Sequence, residues 1–511
     1  MRTLLLTLTT CLLVLPVQAK YSGGTGEPND PYQIATAAHL IALGETPADY
    51  DKHFILTANI DLDPNLPGRK VFDKAVIAPD VNDATWRFDG TRFTGVFDGN
   101  GHTISHLTMV GKDYLGLFGE LSGQVRNLGA VDVNVTGSGS FVGGLVGYNS
   151  WGSITTCHST GAVSGIGQWS SLVGGLVGSN GHTVTQCYSN STVSGESFVG
   201  GLAGQNDGTV TQCYSTGMVA GEFDVGGLVG RNDGEATNCY STSTVSGVRF
   251  VGGLVGDNGG VTGWFMEPCA GTVTNCYSTG TVSGDSSVGG LVGYNGGAPG
   301  GDFISSAPGG TVTDCYSSGL VNGTDRVGGL VGSNTDDSGN EGSVTRSFWD
   351  IQTSGQATSA GGLGKTTAEM QRAKTFLEAG WDFVDETANG TDDIWKIAEG
   401  LDYPRLWWEP YDGRVTVVLG QVFAVTLESN PSTGYRWEWV DSQDSILEQI
   451  GEAQFKPRET GDPPLVGAGG WESSDFKAVH QGQMTLKLVY RRPWEEGVEP
   501  LKTFSLQVTV P

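Results

Sequence analysis

Apolar positions between residues 141 and 333 come in short groups punctuated by glycine, not at helical spacing. Phe141-Val142-Gly143-Gly144-Leu145-Val146-Gly147 returns as equivalents centred on Gly175, Gly201, Gly227, Gly253, Gly290 and Gly329, at steps of 31, 26, 26, 26, 37 and 39 residues. Leu115-Gly116-Leu117-Phe118-Gly119 is a degenerate earlier copy. The basic unit is therefore 26 residues, lengthened by insertions in the first and the last two intervals. Periods of this size mark arrays in which each unit buries its apolar face only against its neighbours. Between the glycine groups run pieces such as Gly208 to Gly217, rich in Thr, Val and Tyr and without helical periodicity, which reads as β. Three short strands per turn, stacked in parallel about 4.8 Å apart, predict a parallel β-helix. Val199 and Leu202 should both face inward although they are three apart. The Gly200-Gly201 pair between them is the expected corner, since glycine tolerates positive φ and close backbone approach.

The pattern changes twice after the repeats. Thr366 to Gly380 predicts a helix, with a capping signal at Thr366-Thr367-Ala368-Glu369, an apolar stripe of Met370, Phe376 and Leu377, and Gly380 as the stop. This helix is expected to plug one end of the solenoid, with Trp395 and the Tyr403-to-Trp408 segment packed beside it, because an open end exposes strand edges and core. From Arg414 the chain alternates as strands at 415–419, 422–427, 484–490 and 504–510. About 98 residues of this kind suit an immunoglobulin-like sandwich, whose loops gather at its ends. The predicted class is all-β: a parallel β-helix followed by a sandwich. The divisions are 1–19, 20–112 as cap and first coils, 113–352 as repeats, 353–412 as C-terminal cap and linker, and 413–511 as the sandwich.

Charge narrows the partners. Asp and Glu number 55 against 28 Lys and Arg, which argues against nucleic acid or an anionic membrane surface as a partner, since both need a positive field. Arg2, the apolar stretch Leu4–Leu15 and Val17-Gln18-Ala19 predict an export signal cleaved after Ala19. That stretch is too short to span a bilayer, and no other candidate span follows. Cys11 lies too early for a lipoprotein site. The expected location is secreted, periplasmic or cell-surface.

Two ladders follow from the register. Asn149, Asn180, Asn206, Asn232, Asn258, Asn295 and Asn334 recur after each glycine group, as hydrogen-bonded stacks at a turn or, alternatively, as a ligand-binding row. Cys157, Cys187, Cys213, Cys239, Cys276 and Cys315 form the other ladder, the last five each 14 residues before the next glycine centre. Stacking at about 4.8 Å exceeds disulfide reach, so free buried thiols are expected, with Cys269 able to pair with Cys276. No metal or cofactor is expected. The coils offer few basic residues for a lyase and no paired carboxylate stripe for a hydrolase: Asp224, Asp257, Asp285 and Asp314 fall at different phases of the coil. No His-Glu-x-x-His occurs. A non-enzymatic chain is the expectation, with polysaccharide processing as the lesser alternative.

The sharpest chemistry lies in three loops of the sandwich: Asn430-Pro431-Ser432-Thr433-Gly434-Tyr435, Gly467-Ala468-Gly469-Gly470 and Arg492-Pro493-Trp494. Each alone reads as a turn. The repeats, with their Gly144-Leu145-Val146-Gly147 core, resemble the GLUG motif of exported and surface proteins over roughly residues 114–350. The three loops, in order within residues 413–511, resemble the chagasin family, inhibitors of papain-type cysteine peptidases. That family carries Asn-Pro-Thr-Thr-Gly-Tyr, Gly-x-Gly-Gly and Arg-Pro-Trp/Phe, so Ser432 is the one departure. The resemblance implies that the loops form a wedge plugging the peptidase cleft. Thr433 would stand at the tip near the catalytic cysteine, Gly469 and Gly470 would allow backbone contact, and Trp494 would anchor. Tyr435 and Trp437 are assigned to the sandwich core. The expected partners are papain-family peptidases. An alternative is a surface adhesion protein whose solenoid binds glycan or protein.

Overall fold

A computed structural model describes residues 20–511 apart from 83, 86, 168–170, 260–268, 299–306, 337, 385–388, 399, 401, 410–413, 441–444, 458–469 and 495–499. The candidate export signal lies outside the described residues, as do Gly467, Ala468 and Gly469.

The repeats form a parallel β-helix, but with four faces and not three. One coil runs through strands Thr183–Thr185, Tyr188–Ser194, Ser197–Gly200 and Ala203–Asn206, and each strand pairs in parallel with its counterpart one coil on. By the residues they carry outward or at their ends, the first, second and fourth are called here the threonine, tyrosine and asparagine faces. Two left-handed positions per coil are occupied by residues other than glycine. Gln212 (φ 53°) turns the chain between the threonine and tyrosine faces, and Phe198 (φ 52°) bends the third. Asn, Asp or Gln fills the first of these bends in most coils, in keeping with the tolerance of Asn and Asp for left-handed backbone.

Val199 and Leu202 are both fully buried, as the sequence requires. The Gly200-Gly201 corner, however, owes nothing to positive φ. A Cβ on Gly201 would lie 2.1 Å from the Gly227 carbonyl oxygen and 2.2 Å from Ser215 Oγ; on Gly200 it would lie 1.9 Å from the Ala203 oxygen. Close approach alone excludes a side chain there.

Both ladders are present. Each asparagine Nδ2 donates to Oδ1 of the next, unbroken from Asn149 to Asn334, at 2.7–2.8 Å. The cysteines are buried and free, each sulfur hydrogen-bonding the carbonyl two residues back, as from Cys213 to Thr211 at 3.2 Å. Burial pushes the Cys157, Cys213 and Cys276 thiols well up. Cys269 is exposed and unbridged while Cys276 sits in the ladder, so the Cys269–Cys276 pairing is corrected. A third ladder stacks His158, Tyr188, Tyr214, Tyr240, Tyr277 and Tyr316 at 4.8–5.1 Å with ring planes within 1–9°.

At the start, Tyr32–Ile34 pairs in parallel with His53–Leu56, and that strand with Val96–Asp98, so the threonine-face stack begins at Tyr32. A helix at Ala37–Gly44, capped by Thr36, lies between the first two. Tyr21, Tyr32, Phe54, Phe93, Phe97 and Phe118 fill this end with ring contacts.

The predicted helix at 366–380 is two short ones, Thr367–Met370 and Ala373–Leu377, parted at Gln371–Arg372; the capping box at Thr366 is present. Nor does this segment plug the solenoid. Met370, Phe376, Trp381, Trp395 and Leu406 pack on Tyr277, Tyr316 and Phe348, covering the side wall of the tyrosine face. The last coil is closed instead by residues 358–360: Ser359 Oγ accepts from the amides of Leu330 and Val331, and Thr358 O accepts from Gly329. Trp349 enters the core beneath them.

Among the described residues the C-terminal domain has seven strands: β1 (Arg414–Thr416), β2 (Val422–Ser429), β3 (Arg436–Trp439), β4 (Leu447–Pro457), β5 (Gly470–Ala478), β6 (Gly482–Arg491) and β7 (Lys502–Val510). They form two sheets, ordered β1-β7-β6-β3 and β2-β5-β4. Phe423, Val425, Trp437, Phe476, Leu486, Leu488 and Val508 bury their side chains in a core of its own. The strands β4 and β5 carry no clean apolar alternation in the sequence.

Candidate functional site

Strand register brings the three loops to one end of the sandwich. β2 ends at Ser429, which pairs with Gly470 at the start of β5, and Gly470 pairs in turn with Pro457 at the end of β4. In the other sheet β3 starts at Arg436, opposite Arg491 at the end of β6. The strand ends at Ser429 and Arg436, at Pro457 and Gly470, and at Arg491 and Lys502, which flank the three loops, therefore all lie at the same end of the domain. Of the second loop only Gly470 is among the described residues.

The first loop is a single turn of 3-10 helix, Pro431–Thr433, closed by Gly434 at φ 84°. Thr433 donates its amide at 3.1 Å and its hydroxyl at 2.6 Å to the Asn430 carbonyl, and Ser432 Oγ donates to Asn430 Oδ1 at 2.6 Å. Pro431, Ser432 and Thr433 remain exposed. Proline at the first helical position fixes φ and stiffens the turn.

The third loop is fastened to the first. Arg492 donates from Nε to the Thr433 carbonyl at 3.2 Å, with its guanidinium 4.6 Å over the Tyr435 ring. Trp494 lies across Gly434, where a Cβ would meet Trp494 Cη2 at 2.5 Å. Gly434 is thus needed twice, for its left-handed backbone and for the space the indole occupies. Trp494 is 65% exposed, a large apolar surface held in place and facing outward.

Three residues that the sequence did not single out for this role hold the loops from below. Glu472, buried, accepts from Ser429 Oγ at 2.7 Å and from the Trp437 amide at 3.4 Å, so one carboxylate grips both stems of the first loop. The Tyr490 hydroxyl accepts from the Asn430 amide at 2.7 Å. Tyr435 packs on Tyr490 at 5.4 Å and carries Arg492; its sequence assignment to the core is half of its part, whereas Trp437 is buried as assigned. A carboxylate buried two residues after a glycine loop was the available signal, at Gly470-Trp471-Glu472.

In the solenoid, Asp224 and Asp257 interact although their coil phases differ, because the third and asparagine faces press together; a Cβ on Gly230 would lie 2.5 Å from Phe198 C. Arg231 pairs with Asp233 at 3.1 Å beside them. Asp314 is paired with Arg346. Among the described residues no group of three or more His, Cys, Asp or Glu side chains could hold a metal ion.

Comparison with known proteins decides the family. The profile described as "Chagasin family peptidase inhibitor I42" matches residues 416–508, and chagasin of Trypanosoma cruzi is 32% identical over 83 residues, 16% of this chain and 73% of chagasin. The chain belongs to the chagasin family. Its chagasin-family domain also aligns with the solved structure of a cysteine protease inhibitor from Entamoeba histolytica, at 28% identity over 19% of this chain and 86% of that one, with a TM-score of 0.17. The GLUG motif matches residues 138–164 and 221–246. Halomucin of Haloquadratum walsbyi is 35% identical over 159 residues, 30% of this chain but only 2% of halomucin's length. No helix among the described residues is long and apolar enough to cross a membrane.

Proposed function

We propose that the chain is an exported inhibitor of papain-type cysteine peptidases, acting through the exposed edge of its chagasin-family domain. The observation that carries this reading is the locked pair of loops, with Trp494 on Gly434 and Arg492 on the Thr433 carbonyl. Thr433, at the crest, enters the cleft and faces the catalytic cysteine. Gly467, Ala468, Gly469 and Gly470 offer backbone to one cleft wall, and Trp494 covers the other as a rigid apolar anchor. Two chemical features support inhibition over cleavage. The crest is a hydrogen-bonded 3-10 turn rather than an extended strand, so it presents no scissile bond in the geometry a peptidase binds. It is also pre-ordered, which lowers the entropy lost on association. The β-helix is on this reading a scaffold without catalysis of its own.

Titration of the full chain against a panel of papain-like enzymes tests the proposal. Reversible, competitive inhibition is expected. Trp494→Ala should weaken it by about 2 kcal/mol, roughly thirty-fold, the cost of losing an aromatic anchor, and Thr433→Arg should abolish it. Undiminished turnover at micromolar protein across the panel, or equal potency of both variants, overturns it.

A further inference from the structure

The threonine face carries an array that the inhibitor function leaves unused. From Ser153–Thr155 to Ser343–Thr345, seven strands stack in unbroken parallel register, each a three-residue piece with its middle residue turned into the solenoid and its outer two turned out. Of the 14 outward positions 11 are threonine and two are serine, as in Thr183/Thr185, Thr209/Thr211 and Thr311/Thr313. Glu235 is the single charge on the array, in a chain of net charge −27. None of the 14 is aromatic. The array ends at the preceding coils, where Arg126 and Asp98 form an ion pair.

Geometry makes this face unusual. Sheets ordinarily twist by roughly 20–25° per strand, which destroys long-range registry. Here the tyrosine ladder on the adjoining face keeps its planes within 1–9° at 4.8–5.1 Å per coil, so successive coils stack at a nearly even spacing with little rotation of those rings. Along a strand, outward residues two apart are separated by roughly 6.6 Å. The hydroxyls and methyls therefore occupy a two-row, roughly rectangular net, whose axial repeat is somewhat longer and whose along-strand backbone repeat is somewhat shorter than the oxygen–oxygen repeats on the prism surface of hexagonal ice. Threonine is stiff at χ1 in a strand, and Thr313 and Thr345 hydroxyls already bond one another along the axis at 3.1 Å. Holding the groups in place beforehand removes the ordering cost of binding a crystal surface.

We propose that the threonine face adsorbs to ice, with hydroxyls joining the outermost water lattice and methyls seated between its ridges. A crystalline polysaccharide also has a periodic surface, but its sugar rings are gripped by aromatic faces, and this array has none.

The test is partition of the full chain into a slowly grown ice hemisphere, together with thermal hysteresis and ice-crystal shaping. Thr211→Lys and Thr274→Lys place a strongly hydrated charge mid-array and should each lose most of the adsorption. Thr192→Lys, exposed on the tyrosine face, should lose none, and all should keep the parent's peptidase inhibition and unfolding temperature. Should a lysine variant lose the solenoid's unfolding transition, Thr274→Val keeps the β-branched shape and removes only the hydroxyl; a loss of adsorption is expected there too. Exclusion of the parent chain from ice, equal adsorption by the array variants, or retention by crystalline cellulose or chitin but not by ice overturns the proposal.

Discussion

At Glu472 a single buried carboxylate joins Ser429 and the Trp437 amide, the two stems of the exposed turn that carries Thr433. Glu472→Gln keeps the shape but weakens charge-assisted bonds to both stems. Inhibition should fall through faster dissociation while the domain stays folded, as surface plasmon resonance and a thermal melt can show. Gly434→Ala should act more severely, because its Cβ would displace Trp494 and its φ of 84° is costly for alanine; a Ki raised at least as much as in Trp494→Ala is expected. In the solenoid, burial and the neighbouring Asp257 raise the Asp224 carboxyl to about 8. A raised carboxyl favours folding while it is protonated, so its contribution is full below about pH 4 and is lost as pH rises through about 8. Asp224→Asn should therefore raise the solenoid's melting temperature more at pH 9 than at pH 5.

Among the elements, the asparagine ladder shows how a repeat becomes a rigid rod. Asn206 accepts from Asn180 and donates to Asn232, both at 2.8 Å and out of water. Asn206→Ala strands buried partners on either side, at a cost of about 3 kcal/mol, which chemical denaturation would detect. The ladder is structural, because each Nδ2 is already committed to the next coil and to a carbonyl, as from Asn206 to Glu235 at 3.1 Å. The C-terminal cap follows a different logic. Its tryptophans cover Tyr277 and Tyr316, the last of the tyrosine ladder, and the hydroxyls there are satisfied by Glu409 and by the Pro404 carbonyl, both at 2.7 Å. The stripe of Met370 and Phe376 was legible as apolar, but its target was not, since no local pattern says which wall of a solenoid lacks cover.

Taken as a whole, the molecule has two main cores of separate composition, one running through the coils and one confined to residues 417–510. Two independent calorimetric transitions are expected, with Asn206→Ala shifting only one of them and leaving inhibition intact. A single cooperative transition that moves with the variant would contradict this. The acidic excess also belongs to this scale. It keeps a long, flat-sided rod soluble while leaving the threonine face almost without charge.

The three loop motifs were legible as local turn chemistry, and the repeat period, the inward valines and leucines and the asparagine and cysteine ladders were legible because in a solenoid a residue's neighbours are copies of itself one period away. That is why a one-dimensional text could be read so far. What it could not fix were contacts between unlike parts. The bend between the threonine and tyrosine faces came from left-handed Gln212, the cap's side-wall seat from outward-turned tyrosine rings that it buries, and the union of Trp494, Gly434, Arg492 and Glu472 from strand register across two sheets. Such contacts depend on which surfaces meet after folding, and only the assembled structure sets that.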